Sequence, residues 1–171
     1  MAVIDKYAGI AERYGRMLQD DPGRQMFFKR TFESFHARNI LDCACGTGND
    51  LLLFHSMGCN VIGSDLSDSM LNAAQRTIHD HKADIILRKG DFQNLRAIHS
   101  ETFDVVVCLS NSINEAEVDP IKALESMKPL TKTTTLSNKA VSEACASRTN
   151  EHVMKSSRGP PETFGIAVPC V

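Results

Sequence analysis

The stretch Leu41-Asp42-Cys43-Ala44-Cys45-Gly46-Thr47-Gly48-Asn49-Asp50 decides how the chain folds. Before it, NILDCA from Asn39 is short, apolar and closed by Gly46, which predicts a buried strand. After it, NDLLLFHSM has helical patterning and stops at Gly58, a residue type suited to the position just past a helix end. Between them, Gly46 and Gly48 stand one residue apart. Glycine there lets the backbone take positive φ and approach a ligand closely, and the helix that follows offers unpaired N–H groups at its start. The third glycine of the dinucleotide fingerprint GxGxxG is missing, because position 51 is Leu.

Moving outward, the same alternation repeats. CNVIGSD reads as a second strand, and Ser67 can cap the helix DSMLNAAQRTIHDHK, which carries Met70, Leu71, Ala74 and Ile78 on one side. DIILRKGD is a third strand and turn. A short segment from Phe92 to His99 leads to a fourth strand, FDVVVCLSNS, and Asp119-Pro120 opens the helix IKALESMK. Upstream, Tyr7, Ile10, Ala11, Tyr14, Met17 and Leu18 recur at helical spacing. Asp21-Pro22 then starts a second helix with Phe28, Phe32 and Phe35 on its core face. Apolar strands alternating with helices predict an α/β fold: a Rossmann-like, doubly wound, mostly parallel sheet.

Beyond Met127 the character changes. KTTTLSNKA and KSSRGPPET are rich in Thr, Ser and Pro and read as loop, and Pro169 would confine the terminal GIAVPCV to a sheet edge. The expected organisation is therefore a binding domain over residues 1–127 and an irregular tail over 128–171. Without a fifth strand, VVVCL becomes an exposed apolar edge, to be covered by the tail through GIAV or by self-association of the chain.

The chain has 171 residues, 42% hydrophobic and 23% charged, with a formal charge of −2, which fits one globular domain. This balance excludes a general electrostatic trap for nucleic acid or an anionic membrane, and no apolar run is long enough to span a bilayer. The N-terminus lacks the basic head and apolar stretch of a signal peptide, so a cytoplasmic location is expected. The six cysteines show no CxxC pair and read as reduced, buried thiols. His79-Asp80-His81 falls near a helix end and reads as solvated, so no metal is expected.

Two acids give the glycine turn its weight. Asp65 ends the second strand, 19 positions after Gly46, where an acid can hold the two ribose hydroxyls of a nucleoside cofactor. Asp91 follows the third strand in Lys89-Gly90-Asp91-Phe92. In a doubly wound sheet these strand ends are neighbours, so turn and acids converge on one crevice. Taken singly, each acid reads equally well as a helix cap.

LDCACGTGND, VIGSDLSDSML, KGDFQNL and FDVVVCLSNSINE resemble motifs I, post-I, II and IV of the class I S-adenosylmethionine-dependent methyltransferases. The phrasing is similar to small-molecule N-methyltransferases of the glycine and sarcosine type. The resemblance covers about residues 1 to 127 and implies S-adenosylmethionine as cofactor and a small-molecule methyl acceptor, an amine or amino acid. It implies that Ala44, Gly46, Thr47 and Gly48 form the cofactor turn, with Ala44 and Gly46 facing the methionine part. Asp65 would hold the ribose and Met70 would pack near the adenine. Asp91 would bind the adenine amino group, with Phe92 against the ring. Leu109 would present backbone at the methionine end, near Asn111 and Ser112, and Tyr7 and Tyr14 would form a lid. No catalytic base is assigned, because a neutral amine needs none. The family's sheet continues with further strands that this sequence does not show. Two other readings stay open: a non-catalytic cofactor-binding protein, and a nicotinamide-dependent oxidoreductase, the latter disfavoured by Leu51 and by the second acid.

Overall fold

The computed structural model describes residues 5–11, 13, 15, 22–109, 112 and 118–137. Its frame is an alternation of helices and strands: α1 (Pro22–Ser34), β1 (Asn39–Asp42), α2 (Asn49–Ser56), β2 (Asn60–Asp65), α3 (Asp68–Asp80), β3 (Ile86–Lys89), a 3-10 segment (Phe92–Ala97), β4 (Phe103–Cys108), α4 (Pro120–Met127) and β5 (Thr131–Ser137). The strands form one sheet in the order β3-β2-β1-β4-β5, and every neighbouring pair is parallel. The fold is thus the expected Rossmann-like α/β sheet.

Local signals account for most element ends. Ser67 caps α3, its Oγ accepting from the Met70 amide at 3.0 Å. Asp119 caps α4 by accepting from the amides of Ile121 and Lys122, with Pro120 at the first helical position. Gly58 turns the chain out of α2 at φ 81°. The sheet has apolar packing on both faces. One layer holds Phe28, Phe32, Ile40, Leu51, Phe54, Ile78, Val105 and Val107; the other holds Leu41, Cys43, Leu95, Val106, Cys108, Met127 and Leu130. Alternation along β1 and β4 sends successive side chains to opposite layers. Phe28 and Phe54 meet edge to face, their ring centroids 4.8 Å apart.

Three expectations need correction. The first is the missing fifth strand: β5 exists and pairs with β4, setting Val105 opposite Thr134 and Val107 opposite Leu136. The Thr run is polar and so reads as loop by composition, yet threonine is β-branched and suits a strand. The edge proposed for self-association is therefore covered by β5, and the sheet continues past the boundary expected at Met127. Second, Phe35 lies beyond the end of α1 and is 41% exposed, whereas Phe28 and Phe32 are buried. Third, Tyr7 stands in a turn over residues 6–10 rather than on a helix; helical geometry begins at Ala11. Residues 138–171, with GIAVPCV, lie outside the described residues, as does Asp21. No helix among those described is long and apolar enough to cross a membrane.

Candidate cofactor site

The order of the strands puts β1 at the centre, with β2 and β3 on one side and β4 and β5 on the other. The chain reverses its lateral direction between β1 and β4, and in such sheets the crevice outside the carboxyl ends at that point takes the ligand. The glycine turn leaves β1 there. Gly46 has φ 52° and Gly48 has φ 84°. The place a Cβ would occupy on Gly46 is open, with no atom of the described residues within 4 Å, while a Cβ on Gly48 would stand 3.2 Å from that of Ala74. Gly46 thus gives access to the crevice, and Gly48 lets α2 approach α3.

Asp65 ties the turn to β2. Its Oδ2 accepts from the Gly46 amide at 2.8 Å and its Oδ1 from the Ser67 amide at 2.9 Å. Burial pushes its carboxyl above the ordinary range, against the opposing pull of those amides. The Gly90 amide donates to the Asp65 carbonyl at 3.0 Å, so the turn carrying Asp91 is fastened to the same strand end. Asp91 caps the 3-10 segment by accepting from the Gln93 amide at 2.8 Å. The glycine turn, Asp65 and the Gly90-Asp91 turn are therefore contiguous.

The other predicted residues fall as follows. Ala44 is half-buried, its amide donating to Asp42 Oδ1 at 3.2 Å. Thr47 is buried, and its Oγ1 has no hydrogen-bond partner among the described residues. Phe92 is half-buried against the layer that contains Leu41 and Cys43. Leu109 is buried at the end of β4, its carbonyl accepting from Ser112 Oγ at 3.1 Å. Met70 is buried with Ala11 and Ala73, and Tyr7 packs against that cluster; the N-terminal segment, not open space, lies against it. Tyr14 and Asn111 lie outside the described residues.

Several residues were missed by sequence reasoning. Asp42 is 1% exposed, and burial together with the charge of Asp50 pushes its carboxyl well above the ordinary range. Asp50, in the first turn of α2, is ion-paired with Arg24 of α1, with Arg24 Nη2 2.6 Å from Oδ2. Nothing local could reveal that pair across 26 positions. Asp5 accepts from Ser67 Oγ at 2.7 Å and from the Ser69 amide at 2.9 Å. These bonds, Ser67 foremost, hold its carboxyl well below the ordinary range. The Asn49 side chain donates to the Gly15 carbonyl at 2.9 Å. The N-terminal segment is thus anchored to the start of α3 and to the start of α2. Among the described residues no cluster of three or more His, Cys, Asp or Glu could hold a metal ion.

A parallel sheet in this order, with a glycine turn after the first strand and an acid closing the second, defines a Rossmann-like α/β protein, a class whose ligands bind outside the carboxyl ends of the strands at the switch point. A family model described as a methyltransferase domain matches residues 40–134, and the chain belongs to that family. It is similar to a glycine/sarcosine N-methyltransferase of Parasynechococcus marenigrum (strain WH8102), 37% identical over 101 residues, which are 57% of this chain and 36% of that protein. It is also similar to a ubiquinone biosynthesis O-methyltransferase of Actinobacillus pleuropneumoniae serotype 7 (strain AP76), 29% identical over 116 residues, 66% of this chain and 49% of the other. Among solved structures, an S-adenosylmethionine-dependent methyltransferase from Clostridium acetobutylicum ATCC 824 matches with a TM-score of 0.61 at 25% identity, over 75% of this chain and 53% of that one. The chain spans about half or less of the length of each of these relatives.

Proposed function

We propose that the chain binds S-adenosylmethionine across the ends of β1, β2 and β3 and transfers its methyl group to a small-molecule acceptor. The observation that carries this reading is the junction of the open Gly46 turn with the Asp65 carboxylate, 2.8 Å from the Gly46 amide. The residues fit the cofactor: a carboxylate with unused acceptor capacity for ribose hydroxyls, an orphaned Thr47 hydroxyl, and backbone that a Cβ would block. No pyrophosphate has to be cradled, so Leu51 in place of the third glycine is no obstacle, and this disfavours a nicotinamide nucleotide.

When bound, S-adenosylmethionine supplies a methyl group already activated on a positively charged sulfur. What this chain contributes is position and shelter. Asp65 holds the ribose, Asp91 takes the adenine amino group, and Phe92 packs about the ring; the role of Met70, which lies under the N-terminal segment, is carried over from the resemblance alone. Ala44, Gly46, Thr47, Gly48 and Leu109 shape the methionine end; the roles of Tyr14 and Asn111 are carried over from the resemblance alone. The N-terminal segment, anchored at Asp5 and Gly15, excludes water from the transfer, which needs in-line alignment more than a strong base. An amine or amino acid is the acceptor class we favour, since the relative at 37% identity is an N-methyltransferase.

The test pairs two measurements. S-adenosylhomocysteine is expected to raise the melting temperature where NAD and NADP do not, and methyl-labelled S-adenosylmethionine is expected to label an amine in a metabolite pool. Stabilisation by the nicotinamide nucleotides alone would overturn the reading. Binding without any product would leave a cofactor-binding protein.

A further inference from the structure

We propose that Cys43 and Cys108 are an oxidation site, a thiol pair built to close into a disulfide at the switch point of the sheet. The pairing of β1 with β4 sets Ile40 opposite Val105, Leu41 opposite Val106 and Asp42 opposite Val107. Cys43 is the first residue past β1, and its amide still donates to the Val107 carbonyl; carried on by one step, the register would bring Cys43 alongside Cys108. Both side chains fall on the same face, in the layer with Leu41 and Val106, as alternation requires. The Cys43 amide and thiol both reach the Val107 carbonyl, at 3.0 and 3.1 Å, the residue just before Cys108 on β4. Neighbouring strands run about 4.8 Å apart, inside the roughly 4.4–6.8 Å range of Cα separations that a disulfide bridges. Cys45 and Cys59 belong to the opposite layer.

With hydrogen peroxide as oxidant the step balances. One sulfur, having lost its proton, attacks a peroxide oxygen. The O–O bond breaks, water leaves, and a sulfenic acid remains. The second sulfur attacks the sulfenic sulfur, the S–O bond breaks, and the second water leaves with the remaining proton. Two thiols are oxidised and one peroxide is reduced to two waters. Both cysteines are buried, at 0% and 3% exposure, so the first attack waits for the strand ends to open. Once it has happened, the partner sulfur is already in place, and closure outruns further oxidation.

Closure reaches the proposed cofactor site. Cys43 leads into Ala44 and the glycine turn, and Cys108 leads into Leu109. A disulfide draws the two Cβ atoms from about the strand spacing to ~3.8 Å, so the two strand ends move together by about 1 Å. That consequence rests on the reading under Proposed function; the chemistry of the pair does not.

The experiment treats the reduced 171-residue chain with hydrogen peroxide in the presence of a chelator, alkylates the free thiols in denaturant, and maps unreduced peptides by mass. A Cys43–Cys108 linked pair, lighter by two hydrogens, is expected, with Cys45 and Cys59 recovered alkylated. The link should vanish in Cys108→Ala and in Cys43→Ser. Recovery of Cys43 and Cys108 as alkylated thiols, as sulfinic acids, or linked to any other cysteine would overturn the proposal. The wild-type map decides this even where a variant fails to fold. Affinity for S-adenosylhomocysteine is expected to fall about tenfold or more on oxidation and to recover with dithiothreitol. Equal affinity in both states refutes the effect on the site. A reduced chain that binds no S-adenosylhomocysteine counts against the functional reading and leaves the peptide map to judge the thiol pair.

Discussion

Replacing Asp65 separates its two duties, holding the glycine turn and holding a nucleoside. Each carboxylate oxygen has two acceptor positions. In the structure Oδ2 accepts from the Gly46 amide and Oδ1 from the Ser67 amide, and the Leu66 amide also favours the charged carboxylate, so acceptor capacity remains for a ribose hydroxyl. Hydrogen bonds to a charged acceptor are worth roughly 1.5–3 kcal/mol each, and water refills part of a truncated site. Asp65→Ala is therefore expected to cost ~1–3 kcal/mol in S-adenosylhomocysteine binding, a loss of about 5- to 150-fold. Asp65→Asn, which keeps one acceptor oxygen but no charge, should fall between wild type and Asp65→Ala. Calorimetric titration near neutral pH reads the affinity, and a melting curve reads the turn. There is also a pH signature. Burial raises this carboxyl, and the ligand favours its charged form. Affinity should thus fall on acidification at a higher pH than an ordinary aspartate would impose, and Asp65→Asn should lose that dependence. Binding by Asp65→Ala within twofold of wild type, with a lowered melting temperature, would refute the ribose role and leave only the structural one.

Three further outcomes are expected. Gly63→Ala places a Cβ 2.6 Å from Leu51 Cδ1 and 2.9 Å from Leu87 Cδ2; such overpacking costs about 1–3 kcal/mol, a melting temperature lower by roughly 3–10 °C, and an unchanged melt would contradict the packing. Asp104 Oδ2 accepts from the amides of Arg38 and Asn39 at 3.0 and 2.9 Å, which outweigh its burial and hold its carboxyl below the ordinary range; Asp104→Ala should cost ~1–2 kcal/mol in urea unfolding. His99 is buried, and its Nδ1 accepts from Arg88 Nη1 at 2.9 Å, so the ring is neutral with its proton on Nε2. Burial, aided by Arg88, lowers its pKa. The unfolded chain then binds a proton that the folded chain does not, and stability should fall as pH drops below about 6.5. The carboxylates lowered in the fold lose their contribution only at more acidic pH. Glu101 is one of these, brought down to about 2 by Arg88. The raised carboxyls of Asp42 and Asp65 act in the opposite sense, so the expected signature is a difference: between pH 7 and 5 wild type should lose stability relative to His99→Gln.

The first four strands and the helices between them could be read from residues because each carries its own local signal: the apolar run of Val105–Val107, the Ser67 and Asp119 caps, the glycine turn. What escaped depends on partners far along the chain. Thr131 and Thr133 to Thr135 are polar in composition, and only the waiting edge of β4 makes them a strand. The Arg24–Asp50 pair and the anchoring of Asp5 on Ser67 join segments 26 and 62 positions apart. Phe35 fitted the helical stripe, but α1 ends before it. In the site, the spacing of Gly46 and Asp65 announced their meeting, whereas the burial of Asp42 follows from the whole sheet closing around β1.

The central place of β1 shapes how the chain is made. Its edge toward β4 has no partner until Val105 to Val107 have been synthesised, some 65 positions after Asn39. A nascent chain that has completed only β1, β2 and β3 therefore carries an open strand at what will become the middle of the sheet. Such non-local parallel pairing is slow and exposed to misassembly. Ribosome-bound lengths ending between β3 and β4 are the ones expected to recruit chaperones, and a synonymous change that slows translation there should lower the soluble yield while leaving the finished protein unaltered.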